Sequence, residues 1–330
     1  MAKRDINKFI SNIFLLSVII SFCFFIGNCG QQQINQEKND PKAMVAFLYF
    51  SDTQADPDTG DYSSVGELIA LAIEQMKSPD LVIFGGDTVE DGRDADDWRR
   101  FWEEATPSLS DLPVAAVAGN HDNYPLLIDQ FDYPNKAPAA RDEGYFYSLD
   151  IGQVHLVMLD SNIMGAANLR DIEWLRGDLA SDKAEQASWR IAVMHHPMWP
   201  VSNNPKDAAR AETMREYFLP MLEEYRVDLI LCGHQHIYSR SLPMSGETAA
   251  PEGAGIIQVM AVSGGKGYQI SEGREYAAIN AYLRNFLYRE FAAINALLRN
   301  FLYIEADNEE LILTAYDGNG NSFDNLKLTR

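Results

Sequence analysis

Short apolar runs and helix-spaced apolar stripes alternate along most of this chain, and many of the short runs stop abruptly at a polar cluster. Met44 to Phe50 is a continuous apolar run ending at Ser51-Asp52, which reads as a buried strand. Leu81 to Phe84, Val114 to Val117, Val154 to Leu159, Ile191 to Met194 and Val227 to Leu231 have the same character. Ser63 to Met76 instead places Val65, Leu68, Ile69, Leu71, Ala72 and Ile73 at helical spacing, so a broad apolar face predicts a helix. Further helices are expected over 168–180 and 207–224. Late in the chain Ile256 to Val262, Phe301 to Glu305 and Leu311 to Ala315 read as strands. The alternation predicts an α/β fold.

The polar clusters fall at the carboxyl ends of these strands, where open α/β sheets bind ligands. They are Asp52-Thr53-Gln54, then Gly86-Asp87 with Gly92 closing GDTVEDG, then Gly119-Asn120-His121-Asp122. After them come His195-His196-Pro197 and Gly233-His234-Gln235-His236. Gly-Asp and Gly-Asn alone are ordinary turn dipeptides; five such clusters in step with five strands are not an ordinary coincidence. The chain holds only six histidines, which makes their grouping informative.

This order of motifs resembles the calcineurin-like metallophosphoesterases over about residues 44–240, with GNHD and GHQH the most specific pieces. The stretch from His195 to Arg240 looks most like the purple acid phosphatase branch, and the tail GNGNSFD after a strand is also similar. The resemblance implies a four-layer αββα sandwich of two mixed sheets and a pair of metal ions. It implies that Asp87 bridges the metals, that Asp52, Gln54 and His236 hold one, and that Asn120, His195 and His234 hold the other. Carboxylate, imidazole and amide oxygen suit Mn, Fe or Zn, while an absence of thiolates argues against a structural zinc site. His121 would contact the phosphate or protonate the leaving oxygen, with Asp122 holding its other ring nitrogen.

The sequence departs from that pattern at three places. Gln54 stands where the family usually has His. Glu90 stands where the purple acid phosphatases place a Tyr, so no iron–tyrosinate chromophore is expected. The His expected downstream of the His195 segment is missing from Val201-Ser202-Asn203-Asn204-Pro205. Asp-x-Gln also occurs in manganese-dependent nucleotide diphosphatases of the superfamily. Three functions therefore stay open: hydrolysis of phosphomonoesters or phosphodiesters, a manganese-dependent nucleotide pyrophosphatase, and a surface lipoprotein that binds without catalysis. His196 is expected to make a supporting hydrogen bond, His155 to be structural, and Cys232 to be an inert core thiol. Glu90 and Asp91 read as loop or capping residues, and Asp56, Asp58 and Asp61 as a solvated turn. Lys266, in GGKGY, reads first as part of a glycine turn, with contact to a substrate phosphate the alternative on motif grounds.

The 330 residues are 46% hydrophobic and 23% charged, ordinary for a globular chain, with a formal net charge of -21. Such a surface repels bulk nucleic acid, so a small phosphate ester or nucleotide is the expected partner, drawn by local positive charge. Three cysteines, Cys23, Cys29 and Cys232, build no disulfide framework.

Lys3, Arg4 and Lys8 precede the apolar run from Ile10 to Ile26, which ends in Gly27-Asn28-Cys29. This is the layout of a lipoprotein-type signal peptide over 1–29, with Cys29 acylated and residues 30–42 a polar tether. An uncleaved anchor and simple cleavage are the alternatives, and all three put the 43–330 domain outside the cytoplasm, in a bacterial cell envelope, with the membrane as partner through the N-terminus. Residues 275–289 and 290–304 match at twelve of fifteen positions, a tandem duplication within 275–304. One repeat is too few for a solenoid. The second copy is expected to supply the strand at Phe301-Leu302-Tyr303 and the first to be displaced from the sheet.

Overall fold

A computed structural model describes residues 44–76, 79–109, 111–122, 124–131, 146–163, 169–202, 204–251, 254–266 and 299–330. The expected signal peptide with Cys29, the expected tether and the first copy of the duplication lie outside the described residues.

Fourteen strands form among the described residues. They are β1 (Val45–Phe50), β2 (Leu81–Phe84), β3 (Val114–Ala116), β4 (Tyr147–Ile151), β5 (Val154–Leu159), β6 (Trp189–Met194) and β7 (Leu229–Cys232), then β8 (Ser239–Arg240), β9 (Met244–Ser245), β10 (Thr248–Ala249), β11 (Ile257–Met260), β12 (Asn300–Ala306), β13 (Glu310–Asp317) and β14 (Ser322–Thr329). One six-stranded sheet has the order β14-β13-β12-β1-β2-β3 and the other β4-β5-β6-β7-β11-β8; β9 and β10 make a separate hairpin. Each sheet has a block of parallel strands, β1 with β2 and β3 in the first, and β5 with β6, β7 and β11 in the second. The flanking strands β12–β14, β4 and β8 are antiparallel, so both sheets are mixed.

Side-chain alternation explains the layers. Successive residues of a strand face opposite sides. Leu156 and Met158 of β5, Ile191 and Val193 of β6, and Leu229 and Leu231 of β7 join Phe47, Tyr49 and Ile83 of the first sheet in one core. Their neighbours Val157, Leu159, Ala192, Met194, Ile230 and Cys232 face the other way, into a second core. Helices α4 (Leu169–Leu179), α6 (Pro205–Tyr217) and α7 (Leu219–Glu224) cover that face through Leu175, Met214, Phe218 and Leu222. Helices α1 (Ser63–Met76) and α2 (Ala95–Leu109) pack Leu68, Ile69 and Phe101 onto the first sheet. The chain is thus the expected αββα sandwich. Two short helices, α3 (Tyr124–Gln130) and α5 (Asp182–Gln186), complete the described elements. Because both faces of the parallel strands are covered, those strands read as nearly unbroken apolar runs. Truncating an inner-face side chain such as Leu156 to Ala is expected to cost about 2–5 kcal/mol.

The sequence reading needs one repair in the helices. The stretch expected at 207–224 is two helices, because Pro220 lacks an N–H and its ring crowds the preceding turn, so the chain breaks at Phe218. In the first sheet β12 pairs antiparallel with β1 on one side and β13 on the other, with Leu302 opposite Tyr49 and Ala315. Phe301, Leu302 and Tyr303 therefore lie in a central strand. No described helix is long and apolar enough to cross a membrane.

Candidate metal centre

The parallel strands of both sheets deliver their carboxyl ends to one place. β1 ends into Ser51 and Asp52, β2 into Gly85, Gly86 and Asp87, β3 into Gly119 and Asn120, β6 into His195, and β7 into Gly233 and His234. Asp87, His195 and His234 each bring one ligand atom within 4.8 Å of the others, and Asp52, Asp87 and His236 do the same. Asp87 belongs to both groups, so it is placed to bridge. Gln54 is buried two residues after Asp52, and Asn120 is exposed beside Gly119.

The backbone is bent to make this convergence. Five non-glycine residues among the described ones have positive φ, and four belong to the site: Asp52 at 52°, Asp87 at 49°, His234 at 72° and His236 at 49°. L-residues rarely adopt that region, and such strain concentrates at functional sites. Gly86, at φ 92°, could not carry a side chain in any case: a Cβ there would lie 2.7 Å from both the Gly119 amide nitrogen and His195 Nδ1.

Each imidazole is oriented by a second partner. His195 Nδ1–H donates to the Gly85 carbonyl at 2.9 Å, leaving Nε2 to face Asp87 Oδ2 at 3.3 Å. His234 Nε2–H donates to Asp207 Oδ1 at 3.0 Å, which turns Nδ1 toward the cluster. His236 Nε2 lies 3.4 Å from Asp52 Oδ1. Asp52 is itself held by the His234 amide, at 3.0 and 2.9 Å, and by the Ser51 hydroxyl at 2.8 Å. His121 donates Nδ1–H to the Glu90 carbonyl at 2.7 Å, and its own amide donates to Asp87 Oδ1 at 2.8 Å.

The electrostatics call for added positive charge. Burial pushes the Asp52 carboxyl up to about 7, and the adjacent Asp87 carboxylate adds to the rise. Burial also raises Asp87, but His195 and the His121 amide hold it below the usual carboxylate range. Burial lowers His195, yet Asp87 holds its imidazole up at about 9. Burial pushes His236 down to about 3, so it is a neutral donor. Neither amide atom of the buried Gln54 finds a hydrogen-bond partner among the described residues, which is costly unless something else ligates it. Two buried carboxylates, the imidazoles of His195, His234 and His236, and the amide of Gln54 are a donor set that fits metal ions.

Sequence reasoning misplaced Asp122. It does not hold His121: its Oδ1 accepts the Thr88 amide at 3.1 Å and its Oδ2 the Gly119 amide at 2.9 Å. Both oxygens are committed to tying the Asp87 loop to the GNHD loop, and the backbone of Glu90 takes the His121 proton. His196 bonds Ser161, its Nδ1 lying 2.8 Å from the hydroxyl, and is buried. His155 is buried between Asp150 and Asp178, away from the cluster. Cys232 is buried, and that burial pushes its thiol well above the usual range.

Several supporting residues were missed. Asn162 donates to the Ala118 and Gly119 carbonyls at 3.2 and 3.1 Å, bracing the GNHD loop. Arg210 donates to the carbonyls of Ser161 and Asn162. Gln235 accepts the Val201 and Ser202 amides and donates to Asp207, stitching the segment after His195 to the GHQH turn. The signal for Ser161-Asn162 was available, since Asp160-Ser161-Asn162 also follows directly on an apolar strand. Asp207 sits in the first turn of α6, where an acidic residue reads as helix stabilisation.

The calcineurin-like phosphoesterase family profile matches residues 45–238, and the chain belongs to that family. It is 26% identical over 221 residues to an uncharacterized protein of Mycobacterium tuberculosis, covering 60% of this chain and 40% of that one. It is 29% identical over 165 residues to purple acid phosphatase 23 of Arabidopsis thaliana, covering 48% of this chain and 35% of the relative. Purple acid phosphatase PPD1 from yellow lupin (Lupinus luteus) seeds shares the fold at a TM-score of 0.68 and 17% identity, covering 88% of this chain and 54% of that one. The similarity runs to the purple acid phosphatase branch, and the chain spans well under two thirds of the length of these relatives. The family implies a dinuclear metal centre, and the two residue groups sharing Asp87 can hold one.

Proposed function

We propose that this chain hydrolyses phosphate esters at a two-metal centre. The observation that carries the reading is the pair of ligand groups that share Asp87 at the joined ends of two sheets. In this reading Asp52, Gln54 and His236 would hold one metal and Asn120, His195 and His234 the other, with Asp87 common to both sets. Two such ions supply positive charge to the phosphate and make water a competent nucleophile near neutral pH.

The chain's own groups then divide the work. His195, His234 and His121 each have one ring nitrogen fixed by Gly85, Asp207 or Glu90, so the other points in a set direction. His121 Nε2 faces the leaving side, and when the ring carries its second proton, that nitrogen donates it to the departing oxygen. Asp122 holds the Thr88 and Gly119 amides together, so Asp87 and His121 stay in register.

The substrate class is a small phosphomonoester or phosphodiester, since the -21 charge disfavours polyanions. The domain works outside the cytoplasm, tethered by a lipid on Cys29, because an apolar run followed by that cysteine is a lipoprotein-type address.

The test is metal analysis with a hydrolysis screen. Purified residues 30–330 are expected to hold two metals per chain and to cleave p-nitrophenyl phosphate or its diester with Mn, Fe or Zn. Asp87→Asn removes the charge of the shared ligand and is expected to lose most of the rate and metal stoichiometry together. Wild-type turnover in that variant would overturn the assignment. A chain with only a binding role would hold no metal pair, and preferential cleavage of nucleoside diphosphates would indicate a pyrophosphatase.

A further inference from the structure

Glu90 and Lys266 form an ion pair at the rim of the centre. The pair joins two loops that carry the site. Lys266 follows Gly264, whose amide donates to the Asp52 carbonyl at 2.8 Å, so its loop is pinned to the strand end that bears Asp52 and Gln54. Glu90 lies in the loop of Asp87, and its carbonyl takes the His121 proton. Lys266 thus links the loop that follows Asp52 and Gln54 to the loop of Asp87.

The ion pair is not needed to hold these loops. The Glu90 backbone is already fixed at both ends, its amide donating to the Tyr62 hydroxyl at 3.0 Å and its carbonyl accepting from His121. The two side chains remain 23% and 42% exposed, and pairs in that setting contribute little to stability. A lysine is a compact point charge on a flexible stem, able to exchange one oxyanion for another. In a chain of net charge -21, an ammonium at the mouth of an acidic cluster is where an incoming anion gains most.

We propose that Lys266 is a phosphate-binding residue which leaves the Glu90 carboxylate for a non-bridging oxygen of the substrate's phosphate. This rests on the phosphoesterase reading above. Glu90 is then a competing internal anion, so the two members of the pair have opposite effects: removing Lys266 weakens phosphate binding, and neutralising Glu90 strengthens it. A purely structural ion pair would show loss, or no change, from either side.

The test is titration calorimetry of inorganic phosphate into the metal-loaded chain, beside steady-state kinetics. Lys266→Met is expected to raise the Kd for phosphate and the KM about tenfold, the worth of one charge-assisted hydrogen bond, with metal content unchanged and kcat less affected. Lys266→Arg is expected to stay within about threefold of wild type, since it keeps the charge. Glu90→Gln is expected to lower the phosphate Kd several-fold, as one competing charge is gone. Wild type that holds two metals and hydrolyses ester, while both Lys266→Met and Glu90→Gln leave the phosphate Kd unchanged or raise it equally, overturns the Lys266 assignment alone. Wild type that binds neither metal nor phosphate overturns the phosphoesterase reading with it.

Discussion

His234 Nε2 lies 3.0 Å from Asp207 Oδ1, and this bond from the start of α6 fixes which nitrogen His234 presents to the metal cluster. The rings of His196 and His195 stand 4.2 and 5.2 Å from that of His234, so the imidazole is wedged as well as bonded. Partners of this kind typically govern affinity by about 10–100-fold. Asp207→Asn is therefore expected to weaken one of the two metals by that order while the other stays bound, read by metal titration. Equal weakening of both, or none, would show that His234 is positioned by packing alone.

Gln54 is the donor that differs most from the family pattern, and neither of its amide atoms is hydrogen-bonded among the described residues. An amide oxygen suits Mn better than Zn, and imidazole reverses that order. Gln54→His is expected to shift the preferred metal from Mn toward Zn in competition binding. An unchanged profile would mean that Gln54 does not coordinate.

Much of the site was legible because its residues sit in short polar clusters directly after apolar strands, and strand ends are fixed by local pattern. Asp52, Asp87, His195, His234 and His236 all come together, although up to 184 positions separate Asp52 from His236. The sheet order could not be read locally: β12 enters beside β1 from the far end of the chain. The same limit explains Asp122. Adjacency to His121 suggested a pair, but its oxygens are claimed by the amides of Thr88 and Gly119, and only tertiary packing brings Thr88 there. Asp207 was hidden in a helix start for the same reason. The strands β4 and β14 were missed because each mixes polar residues into its run, as in SFDNLKLT.

His155 makes a pH-dependent contribution to stability. Burial lowers its basicity, but bonds to Asp150 and Asp178 outweigh that and hold it up at about 9. The folded value lies above the unfolded one, near 6.5. Its stabilisation is therefore fully present below about pH 6.5 and is lost as pH rises through about 9. Asp178→Asn is expected to cost about 2 kcal/mol at pH 6 and much less at pH 10, by denaturant titration. A cost independent of pH would show that His155 is neutral throughout.

The lipid anchor is tested at Cys29. With Cys29→Ala the proposed acylation site is gone, and the chain is expected to leave the membrane fraction. Retention at full precursor length with no lipid on the wild type would favour an uncleaved anchor. Metal content and hydrolysis are expected to be unchanged in the released protein.

His121 and Asp122 are adjacent, yet their hydrogen bonds assign them different work, and their variants should fail differently. His121 offers Nε2 to the leaving oxygen, with Nδ1 held by the Glu90 carbonyl. Loss of a proton donor typically costs about 10²–10⁴-fold, and it matters most when the leaving group is a poor one. His121→Ala is thus expected to lower kcat strongly for an alkyl phosphate and weakly for p-nitrophenyl phosphate, with both metals retained. Asp122 joins the Thr88 and Gly119 amides, which flank Asp87 and Asn120. Asp122→Ala leaves two part-buried amides unpaired, at about 1–3 kcal/mol each. It should lower thermal stability and metal occupancy, and reduce turnover of both substrates by the same factor. If Asp122→Ala instead reproduced the leaving-group dependence of His121→Ala with full metal content, Asp122 would act through His121 after all, and the loop-tying role would be wrong.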